Sequence, residues 1–179
     1  YRKHEKYWQA VDKNDVALAF GHAADVVVLA AWRQDAEAFN EEYCRYLQRK
    51  HRAGADTPWF AGQIIMIARN DYTLEVFNGD IGLIMPDAES ANGLAAYFPN
   101  ADGFKKIAIS RLPQFDSAFA MTVHKSQGSE YREVWLLPPS GKIEQGGDDA
   151  LSGLNNALLY TAITRARRRF GYAGQMSAL

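Results

Sequence analysis

The chain has 179 residues, 47% of them hydrophobic and 23% charged, with a formal net charge of −1. That is the composition of a globular domain, long enough for one full core or one core with a small insert. It carries no global basic field, so a nucleic-acid surface would have to be local. No apolar run approaches the roughly 18 residues that span a membrane, and no signal peptide is apparent. Cys44 is the only cysteine, which excludes an internal disulfide and a multi-thiolate zinc site and fits a reducing cytoplasm. Opening at Tyr1 in charged sequence, the chain is expected to be a piece of a longer protein.

Residues Val26 to Ala31 (VVVLAA) form a short apolar run rich in β-branched side chains, as expected for a strand buried on both faces of a parallel sheet. Asp35 is a plausible N-cap for the helix that follows, in which Ala36, Phe39, Tyr43, Tyr46 and Leu47 recur at helical spacing up to Lys50. From Gly62 to Ser110 the turn signals crowd together. Strands are expected at Gln63 to Ala68, Leu74 to Phe77, Ile81 to Met85, Leu94 to Phe98 and Phe104 to Ile109, with Asn78-Gly79 as a tight hairpin turn. This stretch reads as a small β-barrel set between two α/β segments. The first texture returns with strands at Ser117 to Val123 and Val134 to Leu137, the second ended by Pro138-Pro139. A polar loop at Lys142 to Asp149, a helix at Leu151 to Ala166 and a last strand at Phe170 to Ala173 complete the pattern.

Two segments carry chemistry. Thr122 to Glu130 (TVHKSQGSE) gathers hydroxyls, an imidazole, an amide, a glycine and a carboxylate at a strand end, where open α/β sheets bind ligands. Gly128 permits close approach of backbone to phosphate, and Glu130 suits a sugar hydroxyl. The same residues would also serve as an ordinary polar turn. Tyr160 to Arg169 (YTAITRARRR) places four arginines near a helix end, where the helix dipole favours cations by roughly 0.3–1 kcal/mol. That accounts for Arg167 to Arg169. Arg165, still on the expected helix, has the reach of an arginine finger.

Taken together, TVHKSQGSEY resembles motif V of superfamily 1 helicases and LLYTAITRARRR resembles motif VI, in the right order. The stretch WFAGQIIMIARNDYTLEVFNGD (Trp59 to Asp80) is similar to the start of the SH3-like barrel inserted in RecD-type helicases, and AFAMTVHKSQGSEY is close to that family's motif V. The resemblance covers about Val26 to Tyr172. It implies an α/β fold: a second RecA-like domain with a parallel sheet, of the P-loop NTPase type, formed by residues 1–58 and 113–179, with 59–112 as the inserted SH3-like barrel. It further implies an ATP-dependent 5′-to-3′ DNA helicase. Arg165 would contact the γ-phosphate, Gln127 and Gly128 the triphosphate, and Glu130 the ribose. Arg33 would reach the nucleotide, although the loop after it is shorter than in close relatives. Thr122 and His124 would face the DNA backbone, and Asn70 and Tyr72 would touch DNA from the barrel.

The sequence contains no G-x-x-x-x-G-K-[ST] phosphate loop. By the resemblance, that loop and the Mg²⁺ ligands belong to the first RecA-like domain of the same protein, and this segment alone would not turn over ATP. The implied parent is the alpha subunit of exodeoxyribonuclease V in a bacterial cytoplasm, acting with beta and gamma subunits on double-strand breaks. A stand-alone RecD-like helicase, the helicase part of a conjugative relaxase, and a DNA- or protein-binding module without motor function remain as alternatives.

Overall fold

The computed structural model describes residues 5–49, 58–140 and 156–173. In chain order the elements are α1 (Glu5–Asp12), α2 (Val16–Ala23), β1 (Val26–Ala30), α3 (Arg33–Leu47), β2 (Gln63–Ile67), β3 (Ile81–Pro86), β4 (Leu94–Asn100), β5 (Gly103–Ala108), β6 (Phe115–Ser117), β7 (Ala120–Thr122), β8 (Tyr131–Leu136), α4 (Asn156–Thr164) and β9 (Ala166–Tyr172). They fall into two compact units. One takes the residues up to Ala23 together with Asn40–Phe119; the other takes Ala24–Phe39 and the residues from Ala120 onward. The expected loop at 142–149 and the first part of the expected 151–166 helix lie outside the described residues.

The second unit is built on a parallel sheet of order β7-β1-β8-β9. The VVVLA run occupies the interior of this sheet, with Leu29 and Ala30 fully buried. A strand covered on both faces cannot alternate polar and apolar residues, which is why the run is continuous. Ala30, Ala36 and Ala120 pack with Val28, Phe39 and Leu137 where the start of α3 lies on the sheet. Asp35 is not the N-cap, because α3 begins two residues earlier, at Arg33. Its buried carboxylate instead accepts hydrogen bonds from the backbone N–H of Ser140, at 3.3 Å, and from the Ser140 hydroxyl. That ties the chain leaving β8 to the first turn of α3.

In the first unit, five antiparallel strands in the order β5-β4-β3-β2-β6 enclose a core of Ile65, Ile67, Val76, Ile84, Ala96, Phe98 and Ile107. Burying each large apolar side chain of this kind stabilises by about 1.5–3 kcal/mol. Sequence reasoning made no reading of residues 5–23, which form α1 and α2. Helix α1 buries Tyr7, Trp8, Ala10 and Val11, and the Tyr7 hydroxyl donates to the Gly62 carbonyl at 2.7 Å. Gly62 has φ +83°, and a Cβ there would meet the Trp8 ring at 2.4 Å, so only glycine fits.

Two expectations are corrected here. Residues 74–77 are not a strand, and Asn78-Gly79 is not a tight hairpin. Gly79 has positive φ but Asn78 does not, and β2 pairs with β3 across a longer loop held by a bridge between Asp71 and Val76. The Asn70 and Asp71 carboxamide and carboxylate oxygens accept from the N–H groups of Asn78 and Leu74, which fixes this loop in preference to a two-residue turn. The expected strand from Ser117 to Val123 is divided: Phe115–Ser117 joins the antiparallel sheet as β6, and Ala120–Thr122 joins the parallel sheet as β7. A continuous apolar pattern gives no sign of such a change of sheet.

Candidate nucleotide-facing site

The turn after β7 is wound tightly by its own polar side chains. The Thr122 hydroxyl accepts from the Lys125 N–H at 3.3 Å, and the buried Ser126 hydroxyl donates to the Val123 carbonyl at 2.7 Å. These bonds hold 123–128 as a compact turn with Val123 and Ser126 inside and His124, Lys125, Gln127 and Gly128 exposed. Gly128 has φ +84° and open space where a Cβ would be. Val123, His124 and Gln127 line a cavity of about 140 Å³ with Ala157, Leu158 and Thr161 of α4, so the two motif segments lie against each other. That volume is below the roughly 300–1,000 Å³ of sites that enclose a small ligand.

Arg165 is the first residue past α4, not the helical residue expected. Its backbone N–H donates to the Ala162 carbonyl at 3.2 Å, and its carbonyl accepts from the Tyr131 N–H at 2.8 Å. The half-buried side chain turns toward the motif V segment, with Nη1 donating to the Ser129 carbonyl and Nη2 to the Thr164 hydroxyl, both at 3.4 Å. Its Nε is enclosed and has no hydrogen-bond partner among the described residues. Next to it, burial pushes the Tyr131 phenol up, opposed by its hydrogen bond to Ser129 and by the Arg165 charge.

Arg167, Arg168 and Arg169 are not on a helix C-terminus. They lie on β9, so the dipole explanation does not apply to them. The β8–β9 ladder slips between Tyr131 and Glu133, which face Ala166 and Arg169 respectively. The extra residue breaks the alternation of faces and leaves three consecutive arginines exposed. Arg167 Nε donates to Glu130 Oε2 at 2.8 Å. Both partners are more than half exposed, so the pair adds little to stability and leaves the carboxylate accessible.

The structure thus gathers Gln127, Gly128, Glu130 and Arg165 around one turn. Thr122 and His124 sit at the carboxyl end of β7, at the start of that turn. Arg33 follows the carboxyl end of β1, whereas Arg165 precedes the amino end of β9; the Arg33 Nε donates to Glu37 at 2.6 Å. Asn70 and Tyr72 belong to the other unit, where Asn70 braces its loop and Tyr72, 77% exposed, stands edge-to-face with Phe77. Sequence reasoning missed Ser129, Thr164 and Arg167. Ser129 acts through its carbonyl, which leaves no trace in residue type. Arg167 was hidden in a basic run assigned to a helix end. No group of three His, Cys, Asp or Glu side chains suited to a metal ion occurs among the described residues.

Residues 117–170 match the UvrD-like helicase C-terminal domain. The chain is 39% identical over 123 residues to the RecBCD enzyme subunit RecD of Mycobacterium tuberculosis, a match covering 69% of this chain and 20% of that protein. It is 34% identical over 117 residues to the ATP-dependent RecD2 DNA helicase of Deinococcus radiodurans, covering 65% of this chain and 15% of that one. It therefore spans about a fifth or less of the length of these relatives. In fold it is similar to the Pif1 helicase of Candida albicans, with a TM-score of 0.53 at 14% identity, covering 98% of this chain and 55% of that chain. The mixed α/β fold with its parallel sheet is similar to that of Pif1 helicases, and in sequence the chain is similar to RecD helicases, with the UvrD-like C-terminal match falling on residues 117–170.

Proposed function

We propose that this chain is one half of a nucleotide clamp, the second RecA-like domain of an ATP-dependent 5′-to-3′ DNA helicase. In this reading Arg165 is the arginine finger, Gln127 and Gly128 lie against the triphosphate, and Glu130 meets the ribose. Arg33 adds a second cation toward the nucleotide, while Thr122 and His124 face the DNA backbone. The phosphate loop and the Mg²⁺ ligands come from the first RecA-like domain of the same protein. Residues 59–112 form an inserted SH3-like barrel, a reading supported by the antiparallel strands β2 to β5 and the core they share. Asn70 and Tyr72 present that barrel to DNA. The parent protein is an exodeoxyribonuclease V alpha subunit of the bacterial cytoplasm. It works with beta and gamma subunits in double-strand break repair, a reading that rests on the identity to RecD subunits.

The observation that carries the motor reading is the Arg165 guanidinium, turned onto the Ser129 carbonyl beside the exposed Gln127–Glu130 turn. A cation held at the rim of a polar, glycine-containing turn suits a γ-phosphate presented from a facing domain. In the full-length protein, Arg165→Ala should lower DNA-stimulated ATP turnover by about 10³-fold or more, while affinity for a single-stranded oligonucleotide stays within a few-fold. Turnover at the unsubstituted rate would sink the motor reading.

A further inference from the structure

An arginine finger works only if its fork points at the transferring phosphoryl group when the two halves of a site close. A free arginine side chain samples many rotamers, so what restrains it matters. Among the described residues, two groups accept from the Arg165 fork: the Ser129 carbonyl at Nη1 and the Thr164 hydroxyl at Nη2. Ser129 contributes backbone, which any residue would supply. Thr164 contributes a side chain, and its hydroxyl is itself oriented, because it donates to the Thr161 carbonyl one turn back at 2.9 Å. With its proton committed there, the oxygen lone pairs are turned outward to accept from Arg165. The backbone of Arg165 is pinned on both sides by Ala162 and Tyr131, so the remaining freedom lies in the side chain that this hydroxyl touches.

We propose that Thr164 is a positioning residue for Arg165: the chain Thr161 carbonyl, Thr164 hydroxyl, Arg165 Nη2 sets the direction of the guanidinium. This rests on the reading of Arg165 as the finger. Thr164 touches no substrate in this scheme and acts only through its neighbour. Its side chain is exposed, so replacing the hydroxyl by a methyl group of the same shape leaves the core unchanged.

The test uses the full-length protein, single-stranded oligonucleotide as activator, and Thr164→Val, Thr164→Ser and Arg165→Ala side by side, with thermal melting to confirm folding. Loss of one hydrogen bond to a charged group that acts in the transition state should lower kcat of Thr164→Val about tenfold, with KM for ATP within about twofold. Thr164→Ser keeps the hydroxyl and should restore kcat. Should Thr164→Val fold poorly, Thr164→Ala removes the same hydroxyl and should show the same split. The proposal is overturned if the hydroxyl-free variants keep wild-type kcat, if their loss falls on KM instead, or if Thr164→Ser loses as much as Thr164→Val. Arg165→Ala separates the two levels of inference. An inactive Arg165→Ala beside a normal Thr164→Val removes only the positioning role, whereas an active Arg165→Ala removes the finger and this proposal with it.

Discussion

The Asp87 carboxylate braces the turn after β3. It accepts from the Ser90 hydroxyl at 2.6 Å and from Lys106 Nζ at 3.1 Å, and Lys106 also reaches Glu89 at 2.5 Å. The Ser90 hydrogen bond, followed by Lys106, holds the Asp87 carboxyl below its ordinary value of 3.8, while Glu89 and Asp87 push Lys106 up. A carboxyl whose value is lower in the folded chain stabilises the fold at any pH above its unfolded value, and that contribution is lost as the pH falls through the folded value. Asp87→Asn should therefore lower the melting temperature at pH 6 to 7, and the gap to the unsubstituted protein should narrow on acidification below the ordinary aspartate value of 3.8. A gap that persists unchanged at that pH would show that shape, not charge, is what the asparagine disturbs. At this scale the sequence was most informative about which side chains are candidates. Arg165, Gln127 and Glu130 were singled out from two short motifs, and in the structure they lie around one turn. Ser129 was not, because a backbone carbonyl is common to every residue, and neither was the Glu130–Arg167 pair, which depends on a ladder slip that no spacing rule encodes.

Among the elements, continuous or alternating apolar runs were the legible ones: β1, β2, β3, β4, β5 and β8 fall close to where hydrophobic pattern puts them. The failures share a cause. Asp71, Asn70 and Asp80 direct their side-chain oxygens onto nearby N–H groups and build a loop where propensity suggested a strand and hairpin. Likewise, α4 ends at Thr164 and β9 starts at Ala166 because pairing with β8 wins over the helix-forming tendency of an arginine run. Glycine tells a similar story within the sheets. At Gly82 of β3 the ring of Phe98 from β4 lies where a Cβ would be, at 2.6 Å, and at Gly171 of β9 the ring of Trp135 from β8 does the same, also at 2.6 Å. Neither glycine has a positive φ that requires it; each leaves room for an aromatic ring where a Cβ would stand. Gly82→Ala should push Phe98 out of its place beside Ile65, Ile84 and Ile107 and destabilise the antiparallel unit by about 1–3 kcal/mol, read by denaturant unfolding. A loss below about 0.5 kcal/mol would mean that the ring shifts freely and that the packing there is loose.

At the scale of the whole molecule, the proposed reading gives the chain one face of a phosphate site, and its sequence contains no phosphate loop. An arginine finger stabilises charge that develops on a transferring phosphoryl group only when something else holds the nucleotide in line. The exposed residues of the turn, Gln127, Gly128 and Glu130, offer an amide, a positive-φ glycine and a carboxylate, which is too little to cradle three phosphates. The net charge of −1 adds no long-range attraction for a nucleotide or for DNA. The isolated 179-residue chain should therefore bind ATP weakly and hydrolyse it at background rate with or without oligonucleotide, and on the proposed reading the full-length protein should hydrolyse ATP in a DNA-dependent way. Steady-state phosphate release from the two proteins, measured with the same oligonucleotide, makes the comparison. Turnover by the isolated chain at a rate near that of the full-length protein would place a complete phosphate site within these residues, and the division of labour between two domains would have to be abandoned.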